Sequence, residues 1–275
     1  MAGTLYVVAT PLGNLGDLSP RAADTLKRVA AVAAEDTRHS KPLLAHAGSR
    51  ADLISFHQHS SERALERILR ILSEGRDVAL ITDAGTPAIS DPGVVLVAAA
   101  RERGIQVVTI PGPNAVAASV AVSGISGDRY LFLGFLPRKG SDRRRLLSTA
   151  AESEWTVVLF EAPNRVTQLL ADLLEVCGPE RLAAVSRELT KVFEETRAGT
   201  LQELSEHYAE APARGEVTVV VAGTGKPRIA EPPYDPGERA KALLAAGMSR
   251  KDVADRLVEE TGISRNAAYK LVNEL

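Results

Sequence analysis

The sequence predicts an α/β protein made of two α/β domains and a small helical domain, and three observations predict it. Up to about Ile125, short apolar runs alternate with stretches whose apolar residues recur at helical spacing, as in strands joined by helices into a largely parallel sheet. From Asp128 to Gly223 strand-like runs recur with a different helical rhythm, which fits an α/β domain containing antiparallel pairs. Between Lys226 and Gly237 lie four of the fifteen prolines (Pro227, Pro232, Pro233 and Pro236), the mark of a semi-rigid linker. The expected divisions are 1–125, 126–226, a linker over 227–237, and a helical domain over 238–275.

Leu5 to Ala9 reads as a buried strand, followed by a loop in which Ser19 caps a helix and Pro20 takes its first position. That helix runs through Val29 to a strand near Val32–Glu35, and Leu53–Phe56 is another short strand. Ser60 or Ser61 caps the next helix, with Leu65, Ile68, Leu69 and Leu72 on one face and Gly75 at its end. Val78–Ile81 is a buried strand, Val94–Arg103 a helix, Ile105–Ile110 a strand and Val116–Ser123 a small-residue helix. In the second segment the strands are Trp155–Glu161, Leu182–Ser186 and Gly215–Gly223, with a helix over Val166–Cys177. Beyond the linker, helices are expected over Pro236–Ala246, Ser249–Thr261 and Ser264–Asn273. The last two are joined by a three-residue turn, in helix-turn-helix grammar.

Two turns carry the strongest functional signal. Asp83–Gly93 (DAGTPAISDPG) follows one strand and Pro111–Ala115 (PGPNA) follows the next. Rigid Gly/Pro turns at strand carboxyl ends are where open α/β sheets bind ligands, so the two are expected to form walls of one pocket, on neighbouring strands. The loop Thr10–Pro20 lacks both GxGxxG and a GK[ST] ending, which argues against nucleoside triphosphates.

Composition narrows the class. With 33 Lys/Arg against 35 Asp/Glu, nucleic-acid contact must come from local patches. The single Cys177 excludes an internal disulfide and a cysteine-based zinc site. No signal peptide or long apolar span is evident, so a cytoplasmic protein without membrane contact is expected. His57 and His59 have tolerable metal spacing but no third ligand, and no metal is expected. The segment Pro137–Arg145 holds Arg138, Lys139, Arg143, Arg144 and Arg145 against one acid, and reads as a phosphate-contacting patch or a solvated helix start. From Pro227 to Leu275 eight basic residues balance eight acidic ones. Only the final helix, with Arg265 and Lys270, offers a contact surface there, for RNA or as a dimerisation or docking module.

Seven stretches carry a resemblance: Val8–Ala22, Ala33–Ser40, Ile81–Gly93, Ile110–Val116, Phe135–Gly140, Leu159–Arg165 and Arg187–Glu195. Together they are similar to the bacterial 16S rRNA ribose methyltransferases of the tetrapyrrole-methylase-like family of S-adenosylmethionine enzymes. The resemblance covers about residues 1–226. Thr82, Ser40, Ala162 and Asn164 depart from residues common in that family, and Asn164 removes an imidazole from acid–base roles.

The resemblance implies two methylase-type domains with S-adenosylmethionine in the cleft between them, and 2′-O-methylation of a cytidine in the decoding region of 16S rRNA. The substrate would be reached in the small ribosomal subunit by an enzyme acting as a homodimer. It implies a cofactor pocket of Pro11, Gly13, Asp83, Ala84, Gly85, Thr86, Gly112, Ala115 and Val116 from the first domain, and Phe160 and Glu161 from the second. Methyl transfer to a hydroxyl needs alignment and removal of a proton. The candidate groups are Asp36 and Arg38, expected on a loop, with Glu188 and Lys191. A desolvated lysine of lowered pKa or a carboxylate could take the proton, with Glu161 held in reserve. Two other functions stay open: a small-molecule, tetrapyrrole-type methyltransferase, and a ligand-sensing DNA-binding regulator.

Overall fold

The computed structural model describes residues 2–57, 62–91, 93–225, 236–261 and 263–275. They fall into two compact units, 1–223 and 224–275. The expected cap at Ser60 or Ser61, His59, Pro92, the linker prolines before Pro236, and Gly262 lie outside the described residues.

The first half of the large unit alternates strand and helix: β1 (Thr4–Val8), α1 (Pro20–Arg28), β2 (Ala31–Ala34), α2 (Thr37–Ala47), β3 (Asp52–Ser55), α3 (Glu62–Ser73), β4 (Val78–Ile81), α4 (Val94–Glu102), β5 (Gln106–Ile110) and α5 (Ala115–Ser123). The strands pair in parallel in the order β3-β2-β4-β1-β5. Both faces are covered, so the central strands β2 and β4 are apolar and buried throughout rather than alternating, while the edge strands β3 and β5 carry exposed polar residues. One face packs Leu5, Ala33 and Leu80 under α3 and α4. The other packs Val8, Val32 and Ile81 under α1 and α2. Ser19 accepts the Ala22 N–H at the start of α1, with Pro20 beside it, as expected.

Strand order corrects one expectation. The chain leaves β1 for β2 on one side and leaves β4 for β5 on the other, so the crevice opens between β1 and β4. β4 and β5 are not neighbours, because β1 lies between them. The loops after β1 and β4 are tied by two backbone bonds, Thr10 N–H to Gly85 O (2.8 Å) and Gly85 N–H to Thr10 O (3.1 Å). The turn after β5 still reaches them: Thr86 Oγ1 donates to the Pro113 carbonyl at 3.3 Å.

The second half contains β6 (Tyr130–Phe135), α6 (Ser141–Glu152), β7 (Thr156–Glu161), α7 (Val166–Cys177), β8 (Leu182–Arg187), β9 (Glu195–Thr200), α8 (Leu201–Glu210) and β10 (Val217–Val221). Its sheet runs β6-β7-β10-β8-β9, parallel only between β6 and β7. α6, α7 and α8 bury Leu147, Leu169, Leu170 and Leu204 on one face. The other face is covered by α5, whose Val116 and Val120 pack on Val158, Ala184 and Val220. β9 and α8 have no counterpart in the sequence reading.

The small unit is three helices, α9 (Pro236–Ala245), α10 (Arg250–Thr261) and α11 (Arg265–Glu274), around Ala240, Val253, Ala254, Leu257, Ala268 and Val272. Ser264 caps α11 by accepting the Ala267 N–H. No helix among the described residues is long and apolar enough to cross a membrane.

Candidate functional site

Two adjoining cavities lie at the carboxyl ends of β1 and β4, between the two sheets. The first, about 460 Å³, is lined by the turn Asp83–Thr86, Ile89–Asp91, Asn114, Ala115, Phe135 and Phe160–Pro163, with Leu12, Glu35 and Glu216–Thr218. Its size is that of a small-molecule or cofactor pocket. The second, about 570 Å³, is lined by Thr10–Gly13, Leu15, Arg38–Ser40, Pro42, Leu43, Thr82 and Lys191. Leu12, Asp83, Ala84 and Glu216 line both.

The β4 turn is held in an unusual shape. Gly85 has φ of +83°, and Ala88 and Ser90 also take left-handed backbone, which is strained for residues bearing a Cβ. Asn114 Oδ1 accepts the Val116 and Ala117 N–H groups, capping α5 and fixing the second turn beside the first.

Five acids, Glu35, Asp83, Asp91, Glu161 and Glu216, line the first cavity. Burial first, then the neighbouring negative charges of Glu35, Asp83 and Glu216, push the Asp91 carboxyl up to about 6 against a lowering hydrogen bond from Thr82. Asp91 lies near the end of the β4 turn (DAGTPAISDPG) and is not among the residues expected from the sequence to act. Glu161 is 2% exposed. Its Oε1 accepts the Ala162 N–H at 2.9 Å, and its Oε2 makes no hydrogen bond within the chain, lying 3.3 Å from the Arg165 guanidinium in an ion contact alone.

Of the expected cofactor residues, Asp83, Ala84, Gly85, Thr86, Ala115, Phe160 and Glu161 meet in the first cavity, and Pro11 and Gly13 in the second. Gly112 and Val116 line neither. Gly112 sits against Ala9, and Val116 is buried in the packing of α5 on the second sheet, because helical rotation turns it away from the turn that Ala115 joins.

The four catalytic candidates form two ion-paired sets, Asp36 with Arg38 and Glu188 with Lys191, and one member of each, Arg38 and Lys191, lines the second cavity. Asp36 is no loop residue: it caps α2 by accepting the Arg38 N–H at 2.8 Å, and its carboxylate also pairs with the Arg38 side chain at 3.2 Å. Those bonds hold the Asp36 carboxyl below its usual range. Lys191 Nζ lies 2.9 Å from Glu188 and 3.2 Å from Glu216. Burial lowers its pKa, but the two carboxylates outweigh it and the net shift is upward, opposite to the lowered lysine expected. The same pairing holds Glu188 below its usual range. Lys191 is therefore an ammonium at neutral pH. Its stem crosses from the second half onto the first: a Cβ on Gly13 would stand 2.4 Å from Lys191 Cγ and 2.7 Å from its Cε. Gly13 thus makes room for a side chain.

The expected phosphate patch also changes. Arg138, Lys139, Arg144 and Arg145 are exposed, with Arg145 3.5 Å from Asp142. Arg143 is 8% exposed; it donates from Nε to Asp172 at 2.8 Å and from Nη1 to the Pro137 carbonyl at 3.0 Å. It lies on the buried face of α6, with Leu147 and Ala150, so it is a structural ion pair and not a phosphate contact. In the small unit Arg265 is tied to Asp255 at 2.7 Å, and Lys270 lies 4.0 Å from Glu274. His57 follows β3, and among the described residues no group of three His, Cys, Asp or Glu side chains could hold a metal ion.

Residues 4–205 match the family model of tetrapyrrole (corrin/porphyrin) methylases. The chain is 43% identical over 274 residues to ribosomal RNA small subunit methyltransferase I of Synechocystis, covering 99% of this chain and 98% of that protein. It is 45% identical over 271 residues to the protein of the same name from Pseudomonas aeruginosa, covering 98% and 96%. Two solved structures share the fold. A cobalt precorrin-4 methyltransferase of cobalamin biosynthesis has a TM-score of 0.63 at 17% identity over 82% of this chain and 96% of its own. Uroporphyrin-III C-methyl transferase from Thermus thermophilus, complexed with S-adenyl homocysteine, has a TM-score of 0.59 at 18% identity over 80% and 97%.

Proposed function

The chain belongs to the tetrapyrrole methylase family, and on that premise we propose that it transfers the methyl group of S-adenosylmethionine to the ribose 2′-hydroxyl of a cytidine in the decoding region of 16S rRNA. One observation carries the reading. Two cavities share a wall, and their charges differ: the first is lined by acids and no base, and the second sets Arg38 and Lys191 beside Asp83 and Glu216. An acidic, partly apolar pocket suits a cofactor that is cationic at sulfur and at its amino group, while a neighbouring one that carries a guanidinium and an ammonium can hold the phosphates of a strand. Full-length relatives named for ribosomal RNA favour RNA over a tetrapyrrole substrate.

The residues present fit the cofactor. Leu12, Ile89, Phe135 and Phe160 offer apolar surface to a purine, and Glu161 brings a buried carboxylate oxygen without a hydrogen bond to the same cavity. The positive φ of Gly85 turns backbone towards the ligand space, where a Cβ would stand 3.3 Å from Leu12. Bound S-adenosylmethionine supplies an electrophilic methyl group on a sulfonium.

The chain itself must orient the ribose and take its proton. Asp36, Glu188 and Lys191 are poor acceptors near neutral pH, the first two as carboxylates of depressed pKa and the third as an ammonium. Asp91 is the group poised to accept, since its pKa near 6 leaves it ionised yet more basic than an ordinary carboxylate at pH 7. Lys191 then serves as a fixed positive charge that orients the strand and stabilises the oxygen as it loses its proton. Arg38 adds a second cation at the mouth. The site is read as working in the cytoplasm on the small ribosomal subunit. A homodimer is part of the reading, supported by Val94 and Val95, both more than half exposed on the first turn of α4.

The test is transfer of labelled methyl from S-adenosylmethionine to 30S particles lacking the modification, followed by nuclease mapping. A labelled 2′-O-methylcytidine from the decoding region is expected. Label on a base, or none on RNA while a tetrapyrrole is methylated, would overturn the assignment.

A further inference from the structure

The segment from Glu188 to Glu194 joins β8 to β9 and is shaped at a conformational cost. Glu188 and Thr190 both take left-handed backbone, with φ of 49° and 66°. The loop is fastened by Glu188 N–H to Glu216 O (3.1 Å), Lys191 N–H to Glu188 O (3.0 Å) and Glu194 N–H to Lys191 O (3.1 Å). Its product is an exposed apolar tip: Val192 is 93% exposed and Phe193 is 72% exposed. A strained, hydrogen-bonded loop that holds an aromatic ring in water is built for a partner.

Its surroundings identify the partner. On one side the preceding residue, Lys191, enters the second cavity. On the other, Phe193 borders a third cavity of about 720 Å³ with Arg187, Arg197, Arg214 and His207. Arg187 and Arg197 share the single carboxylate of Glu195, at 2.6 and 3.4 Å, and Glu188 is held by Lys191. The three arginines of its lining balance Glu188, Glu195 and Glu210, so the guanidinium groups offer a phosphate hydrogen-bond donors rather than an excess of charge. An exposed ring flanked by guanidinium groups is the usual platform for an unstacked base and its phosphate. Lys191 and Phe193 are two residues apart, at most about 7 Å along the chain. A strand whose target ribose lies at Lys191 must lead its neighbour past this tip.

We propose that Phe193 stacks on the base adjacent to the methylated nucleotide, with Arg197 and Arg214 receiving its phosphate, so that the 188–194 loop selects single-stranded RNA. The proposal rests on the RNA reading above.

The test uses the full-length protein, 30S particles and labelled S-adenosylmethionine. Phe193→Ala should raise the KM for 30S particles about tenfold or more, with kcat and cofactor affinity unchanged, and Phe193→Trp should restore it. Arg214→Gln should weaken RNA binding and lower its salt dependence. An unchanged KM in an active Phe193→Ala enzyme would overturn the proposal while leaving the RNA reading intact. A shift of Phe193→Ala to a lower sedimenting mass would overturn it in favour of a second copy of the chain as occupant. Wild-type protein that methylates no ribosomal RNA would remove the underlying reading and this proposal with it.

Discussion

Replacing Gly13 by alanine should disable the site without touching the cofactor pocket. Gly13 lies outside the left-handed backbone region, so an alanine there is tolerated locally. Its Cβ would meet the stem of Lys191 at Cγ (2.4 Å), Cε (2.7 Å) and Cδ (3.0 Å). A clash along the whole stem cannot be relieved by moving the tip, so the ammonium must leave its positions 2.9 Å from Glu188 and 3.2 Å from Glu216. Those contacts need only about 1 Å of movement to become ineffective, and a misplacement of that size costs roughly 10²-fold in rate. Turnover on 30S particles should therefore fall about a hundredfold, while calorimetry of S-adenosylmethionine binding stays near wild type. The sharper measurement is a double-mutant cycle. Because the glycine acts only through the lysine, Gly13→Ala should cost almost nothing in a Lys191→Ala background. Additive losses, or a fully active Gly13→Ala enzyme, would refute the idea that the glycine exists to seat Lys191.

Three further outcomes are expected. For kcat/KM of the cofactor, the rate should rise with pH through about 6 and level off above it, because the Asp91 carboxylate must be ionised to accept a proton; Asp91→Asn should remove that limb and most of the activity. The same raised pKa means that the native protein holds this proton more tightly than the unfolded chain, so Asp91 weakens stability as pH rises from about 4 to 6. Asp91→Asn should accordingly melt no lower than wild type at pH 7, and a large loss would point to a structural role. Arg143→Ala, which strands Asp172 and the Pro137 carbonyl, should cost about 2–4 kcal/mol and lower Tm by roughly 5–10 °C, with RNA affinity unchanged in the folded protein, whereas neutralising the exposed Arg144 and Arg145 should do the reverse. Gly85→Val should weaken S-adenosylmethionine at least tenfold, since its φ of +83° disfavours any Cβ and its methyl groups would crowd Leu12; Gly112→Val, away from both cavities, should leave affinity nearly intact.

The alternating half was legible because its central strands are buried on both faces and α1 carries its cap at Ser19. α2 was read as a loop, since EDTRH looks like a string of charged side chains, although Asp36 is the kind of residue that starts a helix. β9 (ETRAGT) escaped because an edge strand with two exposed positions shows little apolar alternation. At the site, the residues of the β4 turn were found because glycine and proline mark the backbone directly. The ammonium state of Lys191 was not, because it depends on contact with Glu188 and with Glu216, the latter 25 residues away and immediately before β10. Arg143 was misread for a similar reason. Five basic residues in nine suggest a patch, and only the helical rotation of α6 shows that one of them faces Asp172.

The helix α5 has one more consequence. It belongs in sequence to the first half and in packing to the second, where Val116 and Val120 complete the face formed by Val158, Ala184 and Val220. A chain severed near residue 125 would leave that face bare in one fragment and an orphan apolar helix in the other. Neither half is then expected to be a self-sufficient folding unit, and residues 1–223 should melt in a single cooperative transition. For a growing chain this sets an order of events. The first sheet can assemble as soon as β5 has emerged, but α5 must wait, apolar and uncovered, until β10 closes the second sheet nearly a hundred residues later.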